Sequence, residues 1–249
     1  MSNEKIIRFA TFNVGDFSGV DMKHGSEESR KAYKAVMEKV GADFWFLQED
    51  YRYFNEETKE KAFDAVYSSI YSNYERYFTG PPNGKAFLSG MELKDVHHVE
   101  YVGDMQFRHP WFLVGKISVG DKEITLVNLH FDWYDKNVRA EEIKQVIAFA
   151  KTREYCIIAG DFNPSNRINE KIVGPNPMHE TDYAYFKDAG FSMANCGDFG
   201  VFHTILDAAS GVFPYDNILV TPNMKIVSVD RIAEPWMQDH AIITAEIQI

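Results

Sequence analysis

The chain has 249 residues, 45% of them hydrophobic and 14% aromatic, with 37 acidic against 26 basic residues and a net charge of −11. That composition excludes a disordered chain, a collagen-like repeat and a disulfide-built mini-domain. The acidic balance argues against a protein that coats nucleic acid by neutralising phosphate, yet leaves room for carboxylates holding cations that in turn hold phosphate.

No apolar run reaches the roughly 18 residues of a membrane-spanning helix, so no span is expected. Met1–Lys5 lacks the apolar stretch of a secretion signal, and Cys156 and Cys196 are expected to be reduced and packed; both point to the cytoplasm. No repeat, low-complexity tract or Gly/Ser/Pro linker divides the sequence, so residues 1–249 are expected to form one domain.

In chain order, Lys5–Asn13 is a β-branched and aromatic run that predicts a buried strand. Tyr33, Val36, Met37 and Val40 recur at helical spacing, with Ser26 as a possible N-cap and Gly41 as a stop. Asp43–Gln48 is apolar almost throughout, as a central strand is, and Phe63, Val66, Tyr67 and Ile70 mark a second helix. Strands follow at Ala86–Met91, Val96–Val102, Trp111–Val119 and Glu123–Leu129, with Val119–Lys122 as a hairpin turn. Arg139–Ala150 is helical, Tyr155–Ala159 a short buried strand, and Asp182–Ala189 a helix closed by Gly190. Asn217–Thr221, Lys225–Asp230 and Ala241–Ile249 complete the chain as strands. Crossover and hairpin connections together imply α/β architecture, with mixed sheets covered by helices.

Polar residues recur where the apolar strands end: Asn13, Gln48-Glu49, Asn128 and His130, Asp161 and Asn163, Asp216-Asn217, and Asp239-His240. Ligand sites of open α/β sheets lie at such ends. Buried carboxylates are expensive unless paired or metal-bound, so several converging ones suggest a cation site. Carboxylate and amide oxygens favour a hard ion such as Mg²⁺, Mn²⁺ or Ca²⁺ over zinc. Two histidines beside them suit hydrolysis of a phosphate ester, in which metal and imidazolium offset developing negative charge.

Phe12-Asn13, Leu47-Gln48-Glu49, Asn128-Leu129-His130, Gly160-Asp161-Phe162-Asn163, Tyr215-Asp216-Asn217-Ile218 and Asp239-His240 occur in that order. Together, from about Ile7 to Ile247, they resemble the endonuclease/exonuclease/phosphatase superfamily, the magnesium-dependent phosphoesterases related to deoxyribonuclease I and exonuclease III. The resemblance implies a four-layer α/β/β/α sandwich, two mixed β-sheets packed face to face with helices outside. It implies Glu49 as principal metal ligand with Asn13 and Asp239, and Mg²⁺ (or Mn²⁺) as cofactor. Asp161 would position and deprotonate the attacking water, helped by Asn163. His240, oriented by Asp216, would face the phosphate, and His130 would serve the phosphate or the leaving oxygen.

Two shorter segments are similar to the deoxyribonuclease I branch: in Tyr74-Glu75-Arg76 the glutamate would orient His130, and in Arg108-His109-Pro110 the arginine would reach a phosphate. Departures are Gln238 and Ile242 where the family's Ser-Asp-His-x-Pro end has serine and proline, and Lys85 where an amide is common. Lys85 is read as a solvated surface residue, with substrate contact as the alternative. Trp133-Tyr134 is a candidate substrate contact, and His203-Thr204 a weaker one. His24, His97, His98, His109 and His179 are read as structural or surface residues, and the aromatic set Tyr67, Tyr71, Tyr74, Tyr77 and Phe78 as packing.

The expected function is a phosphodiesterase or nuclease, a monomer whose substrate is nucleic acid, cleaving a P–O bond by direct in-line attack of water. The alternative keeps the machinery and changes the substrate to a small-molecule or lipid phosphoester, of inositol-phosphate or sphingomyelin type. A third reading is a non-catalytic binding domain on the same fold.

Overall fold

The structure, a computed structural model, describes residues 5–15, 26–50, 84–165, 167–168, 171–172, 178–206, 213–237 and 239–249. The expected helix around Phe63–Ile70, Glu75, the Tyr67–Phe78 aromatics, His24 and Gln238 lie outside these residues.

One sheet has the order β12-β13-β1-β2-β3, from β1 (Ile6–Asn13), β2 (Phe44–Gln48), β3 (Lys85–Ser89), β12 (Lys225–Ile232) and β13 (Ile242–Gln248). A second has the order β10-β11-β7-β6-β5-β4, from β4 (Lys94–Glu100), β5 (Trp111–Val119), β6 (Lys122–His130), β7 (Cys156–Asp161), β10 (Ser192–Met193) and β11 (Asp216–Val220). The two-residue strands β8 (Arg167–Ile168) and β9 (Lys171–Ile172) pair with each other. Three helices are described: α1 (Glu27–Val40), α2 (Lys136–Ala150) and α3 (Met178–Asp188). None is long and apolar enough to cross a membrane.

Alternation along each strand decides which layer a side chain enters. In β1, β2 and β3, one face (Phe9, Phe44, Phe46, Phe87) meets Leu113, Leu126, Ile157 and Ile218 of the other sheet in the central core. Phe44, Phe46 and Phe87 meet in tilted and edge-on pairs at ring centroid distances of 5.1–5.5 Å, and burying each such ring stabilises the fold by about 1.5–3 kcal/mol. The opposite face (Phe12, Trp45, Leu47, Leu88) is covered by Tyr33, Val36, Met37 and Val40 of α1. Likewise Phe112, Val127, Leu129 and Ile158 turn outward beneath Ile143 and Val146 of α2 and Tyr183 and Phe186 of α3. The result is the expected four-layer α/β/β/α sandwich.

The ends of α1 follow the sequence signals. The Ser26 hydroxyl accepts a bond from Ser29 N–H (3.1 Å), and Gly41 takes a left-handed φ of 58° while its N–H bonds Met37 O.

In each sheet one pair is parallel and joined through a helix: β1 and β2 through α1, and β6 and β7 through α2. The carboxyl ends of these four strands set the site's position. The antiparallel neighbours β3, β5, β11 and β13 bring their amino ends to that same edge of the sandwich.

Candidate active site at the strand ends

The inward face of each strand changes from apolar to polar at this edge. On β6 the inward residues Ile124 and Leu126 are followed by Asn128 and His130; on β7, Ile157 and Ala159 are followed by Asp161. The first polar layer bolts the two sheets together. Gln48 Nε2 donates to Asn128 Oδ1 at 2.8 Å, and Asn128 Nδ2 donates to the carbonyls of Leu47 and Ala86, both at 2.9 Å. Such a fully satisfied buried network fixes the relative position of the sheets.

Above this floor lies a chain of side chains. Asn13 Nδ2 donates to Glu49 Oε1 and to Asp161 Oδ2, each at 3.1 Å, while its oxygen accepts Gly15 N–H at 3.0 Å. His240 Nδ1–H donates to Asp216 Oδ2 at 2.7 Å, leaving Nε2 3.6 Å from Asp161 Oδ2 and 3.9 Å from Asp239 Oδ1. His130 Nε2 lies 3.5 Å from the same Asp161 oxygen and 4.0 Å from Glu49 Oε1. Asp161, Asp216 and His240 hold possible ligand atoms within 4.8 Å of one another, a geometry that could hold a metal ion.

Local backbone geometry aims these groups. Glu49 and Asn163 adopt left-handed φ values of 54° and 43°, a conformation that is uncommon for glutamate and easier for asparagine. Asn163 N–H donates to Asp161 Oδ1 at 2.9 Å in an Asx-turn, and its amide donates to Phe131 O at 3.1 Å. Gly160 lies against β6 so closely that a Cβ would stand 2.1 Å from Leu129 O. The Asp216 end of β11 is held by the Thr204 hydroxyl, which accepts the N–H groups of Tyr215 and Asp216, and by Asn195 Nδ2 on Asp216 O.

Burial pushes the carboxyl groups of Glu49 and Asp161 upward, against the lowering influence of His240 and the Asn13 amide. Burial opposes charge on His240, yet Asp216 and Asp161 outweigh it and hold that imidazole well above its usual range. His130 goes the other way, held neutral by burial and by the nearby His109, Lys85 and His240. The two histidines are thus pulled in opposite directions, His240 toward its cationic form and His130 toward its neutral one.

No protein-family model matches the sequence, and no curated protein does. Solved structures do match. An endonuclease/exonuclease/phosphatase from Bacteroides vulgatus has a TM-score of 0.71 at 17% identity, covering 98% of this chain and 99% of that one. An AP endonuclease from Archaeoglobus fulgidus has a TM-score of 0.68 at 16% identity, with 96% and 98% covered. Truncated TDP2 from Caenorhabditis elegans has a TM-score of 0.63 at 14% identity, with 98% of each chain covered. The chain has the endonuclease/exonuclease/phosphatase fold.

On this fold Asn13, Glu49, His130, Asp161, Asn163, Asp216, Asp239 and His240 converge at one strand-end edge. Asp239 is the most open of them, its side chain 58% exposed. Arg108 stands on the rim: its Nε is 3.4 Å from Asp132 Oδ2, and its guanidinium stacks 4.3 Å from the Tyr134 ring and 5.5 Å from that of Trp133. The Arg108-Trp133-Tyr134 group therefore borders the loop leaving His130. His203 flanks the Thr204 clamp, where its carbonyl accepts a bond from Arg231 Nε. Glu75 lies outside the described residues.

Lys85 corrects the surface reading. It is 1% exposed, and its ammonium sits 4.1 Å from the Trp111 ring centroid. The strand parity carried this signal, since Lys85 shares the inward face of β3 with Phe87. His109 is buried as well, its ring stacked on that of His130 with centroids 4.0 Å apart and planes 19° from parallel. Cys156 is a buried free thiol; Cys196 is half-buried and also free.

Proposed function

We propose that the protein is a divalent-metal-dependent phosphodiesterase of nuclease type that cleaves a P–O bond by in-line attack of water. The observation that carries this reading is the unbroken line Asp216–His240–Asp161–Asn13–Glu49, with His130 facing the same Asp161 oxygen.

The donors suit a hard cation. Glu49, Asp161, Asp216 and Asp239 gather around one imidazolium, and Asp216 Oδ1 is buried with no hydrogen-bond partner among the described residues. Glu49, with Asn13 and Asp239, would hold Mg²⁺ or Mn²⁺, which supplies Lewis-acid charge to a phosphoryl oxygen. We take this set because the resemblance implies it; Asp161, Asp216 and His240 are a second group whose ligand atoms lie close enough together to hold an ion.

Asp161 is aimed by two hydrogen bonds, from the Asn13 amide and from Asn163 N–H, with His240 Nε2 3.6 Å away, so its carboxylate can orient a water and take its proton. Asn163 holds the turn that fixes Asp161. Asp216 fixes the ring of His240, whose Nε2–H then points a cationic donor at a phosphoryl oxygen. His130 serves the phosphate or the departing oxygen, and Arg108 at the rim binds a flanking phosphate. Charge pulled in opposite directions on two nearby groups is the usual basis for dividing acid and base roles.

Hydrolysis of bis-p-nitrophenyl phosphate, a phosphomonoester and supercoiled plasmid, each with Mg²⁺, Mn²⁺ or EDTA, tests the reading, with Asp161→Ala as blank. Metal-dependent plasmid nicking that disappears in the variant and in EDTA is the expected result. A net charge of −11 favours a second reading, a small-molecule or lipid phosphoesterase. Turnover restricted to small esters would select it, and failure on all phosphoesters would refute both.

A further inference from the structure

Four buried polar atoms that share electrostatic neighbours have no hydrogen-bond partner among the described residues: Lys85 Nζ, Tyr101 Oη, His109 Nδ1 and Glu142 Oε1. They come from four places in the chain: the start of β3, the turn after β4, the segment entering β5, and α2. Native interiors leave few such groups, and each asks for an explanation. Four in one neighbourhood ask for a common one.

The four lie within electrostatic reach of one another. Glu142 acts on both Lys85 and Tyr101, and Lys85 acts on both His109 and His130. Three of them are also anchored to the surroundings of His130. His109 stacks on its ring, and Lys85 is seated over Trp111 at the start of the neighbouring strand. The second oxygen of Glu142 accepts the N–H of Asp132, two residues past His130, at 2.8 Å. Their chemistry is complementary: an amine donates, a carboxylate accepts, and a phenol and an imidazole nitrogen do either. A water molecule satisfies such a set, because a buried water needs two to four polar partners and apolar matter can supply none.

We propose that Lys85, Tyr101, His109 and Glu142 enclose a pocket of ordered water behind the site, and that Lys85 and His109 are positioning residues that hold the ring of His130 from behind. The proposal rests on the reading of His130 as a working residue of the site. His109 presses flat on one face of that ring, so the ring can turn only if His109 moves. Lys85 and Glu142, through the water, keep His109 from moving.

Two substitutions separate positioning from packing. Lys85→Met keeps length and loses the amine; His109→Phe keeps a flat ring of similar size and loses Nδ1. With bis-p-nitrophenyl phosphate and Mg²⁺, each is expected to lower kcat about tenfold or more with KM changed less than twofold, while Tm is unchanged or raised. In ¹⁵N-histidine NMR spectra the ring signals of His130, assigned by their loss in His130→Ala, should shift or broaden in both variants. A high-resolution crystal structure should show water density within hydrogen-bond distance of the four atoms. Wild-type kcat and unmoved His130 signals in both variants would overturn the proposal, provided His130→Ala itself loses activity. If His130→Ala turns over at the wild-type rate, the reading of His130 fails and the proposal falls with it. Where no ester is hydrolysed, the crystal structure decides, and direct bonds among the four side chains with no water would overturn it.

Discussion

Lys85→Met offers a quantitative test of the buried amine that needs no substrate. Burial lowers the Lys85 pKa from 10.5 to about 7, with the carboxylate of Glu142 only partly opposing it. A difference of that size corresponds to about 5 kcal/mol between charged and neutral forms. The sign follows from proton counting. Above pH 10.5 the amine is neutral in folded and unfolded chains alike and imposes no charge penalty. Between pH 10.5 and about 7 the unfolded chain binds a proton that the folded chain lacks, so wild-type stability falls as pH falls, by up to about 1.4 kcal/mol per pH unit. Below about pH 7 the penalty is complete. Methionine has similar length and no charge, so the variant's stability advantage should be largest near pH 6 and shrink by several kcal/mol toward pH 10. Urea unfolding of both proteins at pH 6, 7.5, 9 and 10 measures this difference, and other titrating groups largely cancel in it. An advantage flat within about 0.5 kcal/mol across that range would show that Lys85 carries no uncompensated buried charge.

Other residues make further predictions. Gly160→Ala should lower Tm by about 10 °C or abolish soluble expression, since its Cβ would stand 2.1 Å from Leu129 O at a φ of 149°; a Tm within 2 °C of wild type would contradict the close approach of β6 and β7. Asp182→Ala strips the buried Arg139 of its 2.6 Å carboxylate partner and should cost about 3–5 kcal/mol in chemical denaturation. Ser26→Ala removes the α1 N-cap and should cost about 1 kcal/mol in the same assay. Asp216→Asn keeps the shape beside His240 but loses the charge that sustains its imidazolium, so kcat on bis-p-nitrophenyl phosphate should fall by about 10²–10⁴-fold with the fold intact by circular dichroism.

The long strands and the helix ends were legible because their signals are local. Trp111–Val119 has the expected bounds and ends at the expected Gly120 turn, and Ser26 and Gly41 close α1 as their types require. The strand β7 runs on to Asp161, past the expected end at Ala159, because Gly160 and Asp161 pair with Leu129 and His130. That extension is a tertiary pairing and leaves no apolar signature. β8, β9 and β10 have two residues each, too few for any periodicity. In the site, residues that follow an apolar run were readable one at a time. Gln48 and Asn128 carry no visible reason to bond each other until two sheets face. Lysine is so seldom buried that Lys85 reads as surface, although the parity of β3 already sets it beside Phe87.

The same topology explains why a chain of such negative charge concentrates its chemistry at one edge. A parallel pair joined by a helix sends both carboxyl ends the same way, and each sheet has one such pair at its centre. Facing the two sheets through a phenylalanine-rich core aligns those ends, so Asn13 and Glu49 from one sheet meet His130 and Asp161 from the other. Antiparallel β11 and β13 then deliver Asp216 and His240 at their amino ends, from opposite sheets, close enough for a 2.7 Å bond. The His240–Asp216 pair therefore exists only when the two sheets are in register, and the Gln48–Asn128 bolt beneath it maintains that register. Loosening the bolt should disturb the site before it melts the core, because the apolar layers on either side tolerate a small slide that a 2.7 Å bond does not.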